Sequence, residues 1–219
     1  MENIDEGIKK YGPDLKILLA GNVSTGKTSI INRYIKNIFK ETCKATIVAE
    51  FSHKIIEKND KICRLVFWDI PGQDRTPNLI GIFCRDVNGI IFSCQVNDEK
   101  SKNDLLKWKK SLESFIDIKE IPIIIMDNKC DLLNEDEEKL QKENENIKNF
   151  AEKNNFTGSF ITSAKTGHNI ENAISFLVDE IFKNIKEEEY IYNNSILSND
   201  SSKLNYSPKN KEDKTSKCC

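Results

Sequence analysis

Residues Gly21-Asn22-Val23-Ser24-Thr25-Gly26-Lys27-Thr28 spell G-x-x-x-x-G-K-T, and no other stretch limits the fold as strongly. Such a loop needs a strand before it and a helix after it. Both can be read in the sequence. The apolar run Leu15 to Ala20 leads in, and the amphipathic stretch Ser29 to Phe39 leads out. Glycines let backbone amides curl round an anion, and the helix start adds its positive dipole. Gly21 to Thr28, with Ser29, are therefore candidate phosphate-binding residues. Lys27 is expected to reach terminal phosphates, and the Thr28 hydroxyl to bind Mg²⁺.

The rest of the chain repeats the strand–helix alternation. Glu50–Lys58 and Ile62–Ile70 flank the turn signal Asn59-Asp60 and read as a hairpin. Gly89–Val96, Ile121–Met126 and Phe160–Thr162 read as further strands. Helices are expected over Asp104–Ile116, Glu135–Lys153 and Asn169–Ile185, the first with Leu105, Leu106, Trp108, Leu112 and Phe115 at helical spacing. The pattern predicts an α/β fold: a mostly parallel six-stranded sheet, one antiparallel edge strand, and helices on both faces. Residues 14–185 form the expected domain, after an N-terminal extension over 1–13. From 186 to 219 Asn, Ser and Lys dominate, a composition expected to stay a disordered tether.

Composition narrows the function. A net charge of -2 gives no reason to expect nucleic acid as a partner. No apolar run nears a membrane span, and the polar first ten residues have no signal-peptide core. Seven cysteines, mostly single within apolar runs, read as reduced thiols.

Three more segments, each after a strand, complete a candidate site. Asp69-Ile70-Pro71-Gly72-Gln73 offers a carboxylate for Mg²⁺, a glycine for close approach to a terminal phosphate, and a glutamine to orient an attacking water. Gln73 and Lys27 are the candidate catalytic pair. Asn128-Lys129-Cys130-Asp131 supplies an acid whose two acceptors match the two N–H donors of a guanine edge. Ser163-Ala164-Lys165 follows the last strand, where a backbone amide could donate to the guanine oxygen. Carboxyl ends of strands are where open α/β sheets bind ligands.

With these four motifs in order, the chain resembles a Ras-superfamily small GTPase, and within it a Rab, over about Leu15 to Lys183. The resemblance implies that Thr46 closes on Mg²⁺ and the γ-phosphate, that Phe39 packs on guanine, and that Phe51, Trp68 and Phe83 meet effectors. It implies a monomer that binds GTP or GDP with Mg²⁺ and hydrolyses GTP. Its partners would be an exchange factor, a GTPase-activating protein, a GDP-dissociation inhibitor or escort protein, and effectors. The terminal Cys218-Cys219 resembles a double geranylgeranyl signal, and two lipids anchor stably where one does not. The implied place is the cytoplasmic face of an intracellular membrane, with a cytosolic pool. Asp-Ile at 69–70 and Leu-Lys-Trp-Lys at 106–109 resemble the branch serving lysosome-related organelles.

Some positions depart from the family pattern. Val23 and Ser24 stand where small residues are usual, Cys43 where a Tyr is, Val48 where a Gly is, Pro71 where an Ala is, and Thr76-Pro77 where an aromatic-basic pair is. They leave the core nucleotide ligands intact and point to slow intrinsic hydrolysis. The alternative reading is a GTP-locked scaffold that recruits partners.

Overall fold

The structure is a computed structural model, which describes residues 13–42, 45–58, 61–72, 81–133 and 136–185. Gln73, Cys43, Arg75, Thr76-Pro77, Asn59-Asp60 and the tail with Cys218 and Cys219 lie outside them. Six strands form one sheet: β1 (Asp14–Ala20), β2 (Glu50–Lys58), β3 (Lys61–Asp69), β4 (Gly89–Gln95), β5 (Ile123–Asn128) and β6 (Gly158–Ile161). Their order is β2-β3-β1-β4-β5-β6. Only the edge pair β2/β3 is antiparallel.

Helices cover both faces, as a parallel sheet requires. They are α1 (Lys27–Lys36), α2 (Glu99–Glu113), α3 (Glu137–Lys153) and α4 (Ile170–Asn184). Strand alternation sends Ile17, Leu19, Leu65, Ile91, Ile124 and Met126 to one side, against α1 and α4. It sends Leu18, Ala20, Phe92, Cys94 and Ile125 to the other, against α2 and α3. Each fully buried Leu or Ile of these layers contributes about 1.5–3 kcal/mol. The sheet therefore holds the loops at its strand ends in fixed positions.

Several boundaries differ from the expected ones, each for a local reason. The expected helix over Asp104–Ile116 starts earlier and ends earlier, because the Asp98 side chain accepts from Ser101 N (3.0 Å) and fixes the start. Leu106, on the flank of this helix away from the sheet, and Phe115, past its last residue, are 38% and 39% exposed rather than in the core. α1 stops before Phe39, because Asn37 turns left-handed (φ 54°) and closes the last turn. Asp136 caps α3 in the same way as Asp98 caps α2, accepting from Lys139 N at 3.1 Å. Among the described residues no helix is long and apolar enough to cross a membrane.

Candidate functional site

The loop between β1 and α1 sits beside the carboxyl end of β4. A Cβ at Gly21 would stand 2.2 Å from Ser93 O, so only glycine lets these backbones meet. Ser24 adopts φ 67° and Gly26 φ 95°. For the serine this left-handed geometry costs about 1–2 kcal/mol. The reward is a row of backbone amides curled into an anion cradle. Two of the expected phosphate residues contribute main chain only. Thr25, 1% exposed, turns its hydroxyl to Asn22 O. The Asn22 amide donates to Asp104 Oδ2 (2.8 Å) and accepts from Trp108 Nε1 (3.2 Å), both on α2.

Lys27 is nearly buried and donates to Gly21 O and Asn22 O, each at 2.9 Å. Burial lowers its pKa to about 8, against the opposing charge of Asp69. Asp69, at the end of β3, accepts from the Thr28 hydroxyl. Burial raises its pKa, while Thr28 and Lys27 pull it down. The Thr28 and Thr46 hydroxyls stand 2.9 Å apart. Asp69 Oδ1 is buried without a hydrogen-bond partner among the described residues. Two hydroxyls and a bare carboxylate oxygen are hard oxygen donors that fit Mg²⁺, which completes its shell with water and phosphate oxygens. Gly72 abuts this point: a Cβ there would lie 2.3 Å from Val23 N.

A cavity of about 390 Å³ opens here, lined by Val23, Lys27, Thr28, Phe39, Thr46 and Gly72. A second, of about 280 Å³, continues from it past Ser29 and Phe39 to Asn128, Asp131, Ala164 and Lys165. Asn128 braces the junction. Its Nδ2 donates to Thr25 O (2.9 Å), and its Oδ1 accepts from Ala164 N (3.0 Å). The Ala164 amide is thus committed within the protein. Asp131 accepts from Ser163 Oγ (2.6 Å). Lys129, at φ 68°, donates to Gln95 Oε1 (2.6 Å).

Sequence reasoning did not find Arg33 or Gln95. Arg33 donates to Ala164 O (2.8 Å) and Lys165 O (2.6 Å), more than 130 positions away, and no local signal marks such a contact. The Phe51, Trp68 and Phe83 rings lie apart from the cavities in a row, with centroids 6.0 and 5.9 Å apart. Phe51 is 73% exposed beside exposed Val48, and Lys16 Nζ lies 4.3 Å over Trp68.

Comparisons with known proteins agree on one kinship. The sequence pattern of the Ras family matches residues 16–183. Ras-related protein Rab-32A of Dictyostelium discoideum is 37% identical over 185 residues, 82% of each chain. Ras-related protein Rab-32 of Homo sapiens is 34% identical, covering 77% of this chain and 75% of its own. Ras-related protein Rab-7L1 of Homo sapiens is 29% identical, covering 79% and 85%.

Proposed function

The chain belongs to the Ras family and, within it, to the Rab branch, and on that premise we propose how its own residues run the switch. It is a Rab-like small GTPase that binds GTP or GDP with Mg²⁺ and hydrolyses GTP to GDP and phosphate. It acts as a GTP/GDP-regulated switch in vesicle traffic on intracellular membranes. The observation that carries our assignment of residues is the convergence of Thr28, Thr46 and the bare Asp69 oxygen beside Lys27.

In this reading the 21–29 loop wraps the phosphates with backbone amides. Lys27 stabilises charge on the terminal phosphate as the bond to the leaving oxygen breaks. A bound Mg²⁺ would supply neutralisation of the negative charge that builds up on the phosphates. Thr28, Thr46 and Asp69 hold the ion, directly or through water, and Gln73 orients the attacking water. Asp131, Lys129, Ser163, Lys165 and Phe39 take the guanine, with Ala164 lining the cavity while its amide bonds the brace, Asn128. Thr46 and Gly72 feel the γ-phosphate, so its loss loosens both segments. Phe51, Trp68 and Phe83 face GTP-dependent effectors. Geranylgeranylated Cys218 and Cys219 hold the chain to the cytoplasmic face, and Asp-Ile at 69–70 with Leu-Lys-Trp-Lys at 106–109 favour a lysosome-related organelle as that membrane.

We further propose slow intrinsic hydrolysis. Support comes from the branched Val23, which lines the phosphate cavity and whose main chain abuts Gly72, with the rigid Pro71 just before Gly72. Single-turnover hydrolysis tests this without an activating protein. A Val23→Gly, Pro71→Ala double variant should run faster than wild type, and equal rates refute the crowding argument. Nucleotide recovered with the protein from cells separates a cycling switch, mostly GDP, from a GTP-locked scaffold.

A further inference from the structure

One buried polar cluster is used by none of the chemistry above. Asp127 is the residue before Asn128 on β5, so its side chain leaves the opposite face of the sheet. There it is 0% exposed, between α2 and α3. From β4, the Cys94 thiol donates to Asp127 Oδ1 (3.3 Å). From α2, Lys102, 3% exposed, donates to Glu143 of α3 (2.7 Å) and to Glu99 of its own helix (3.2 Å). Asp127 Oδ2 is buried with no hydrogen-bond partner among the described residues. Cys130, just past β5, also feels the Asp127 charge. Opposite on β6 stands the apolar Ile161.

This cluster sets one buried carboxyl, Asp127, and one half-buried carboxyl, Glu143, against the single buried ammonium of Lys102. Lys102 bonds Glu143, which leaves Asp127 comfortable only while it keeps a proton. The next peptide unit carries Asn128, whose two buried hydrogen bonds join the phosphate loop to the Ala164 loop. A strand end strained on one face therefore disturbs the base-side brace on the other.

We propose that Asp127 is a positioning residue for guanine nucleotide: its proton keeps the end of β5 closed and the nucleotide held, and its ionisation speeds nucleotide release. The inference rests on the reading that Asn128, Lys129 and Asp131 form the base site. Titration agrees with the geometry. Burial above all, with Glu143 adding to it, raises Asp127 to about 7, against Lys102. Glu143 moves the other way, because the Lys102 hydrogen bond and charge outweigh its burial. Cys94 is buried and stays protonated. A carboxyl raised in the folded state stabilises that state below its unfolded pKa, and loses this as pH rises through neutrality.

The experiment follows release of a fluorescent GDP analogue from the Mg²⁺-loaded full chain across neutral pH. The ionised fraction climbs from about a tenth to about nine tenths over two pH units, so wild-type release should accelerate about tenfold between about pH 6 and pH 8. Asp127→Asn keeps the shape without the ionisation, and should release slowly at every pH. Glu143→Gln removes the carboxylate that opposes Asp127 ionisation and keeps the Lys102 charge that favours it, and should move the rise to lower pH. A rise in Asp127→Asn like that of wild type, or an unmoved midpoint in Glu143→Gln, overturns the inference alone. A chain that binds no guanine nucleotide overturns the base-site reading and this inference with it.

Discussion

Gly26 and Asn128 meet where the phosphate loop is braced, and substituting each tests that brace. A Cβ on Gly26 would lie 2.3 Å from Asn128 Nδ2, on a backbone at φ 95°. A side chain end can often swing away, but this one is pinned by Thr25 O and Ala164 N. Gly26→Ala thus carries two separable costs. Left-handed backbone with a Cβ costs about 1–2 kcal/mol. Displacing Asn128 strands the buried Ala164 N–H, at about 1–3 kcal/mol, and removes a bond worth about 1 kcal/mol from Thr25 O, which Ser93 Oγ still serves at 3.2 Å. Asn128→Ala carries only the second cost, about 2–4 kcal/mol. In the Asn128→Ala background, Gly26→Ala should then cost only the backbone part, about 1–2 kcal/mol, leaving a coupling of about 2–4 kcal/mol. Thermal unfolding of the four GDP-loaded proteins reads the cycle, at about 2–4 °C per kcal/mol for a domain of this size. Additive shifts would refute the claim that both changes act through one contact.

Two further outcomes follow from named side chains. Lys27 titrates near 8 without nucleotide, and bound phosphate favours its charged form, so GDP binding should take up a proton and weaken as pH rises past about 8. Calorimetry at such pH in buffers of different ionisation enthalpy reads that proton; wild-type uptake no greater than that of Lys27→Ala refutes it. Lys58 Nζ reaches Asp179 Oδ2 and Ser175 O, both at 2.6 Å, tying β2 to α4. Lys58→Met should lower stability by about 1–2 kcal/mol, or about 2–8 °C, while GDP release stays as in wild type. An unchanged midpoint or faster release would show the tie is misjudged.

What the sequence made legible was local. The strand–loop–helix setting of residues 21–28, the strand-end place of Asp69 and the β2/β3 hairpin follow from spacing and alternation, because each depends on a few consecutive residues. Element ends were read less well. The helix that Asp98 caps was expected at Asp104, because its first turn, Glu99 to Lys102, is polar and gives no apolar stripe to read. The wiring of the site was not legible. Asn128 was read as part of the base motif, yet its side chain spends both its groups on main chain at Thr25 and Ala164. Nor did the buried Asp127 stand out, since a carboxylate at a strand end reads as solvated until α2 and α3 close over it.

Arg33 has a wider implication. One side chain from the helix behind the phosphates grips the carbonyls of the segment that lines the base side. Two hydrogen bonds thereby join the wall behind the phosphate loop to the wall beside the base cavity. Loosening of either wall is therefore passed to the other through a single guanidinium.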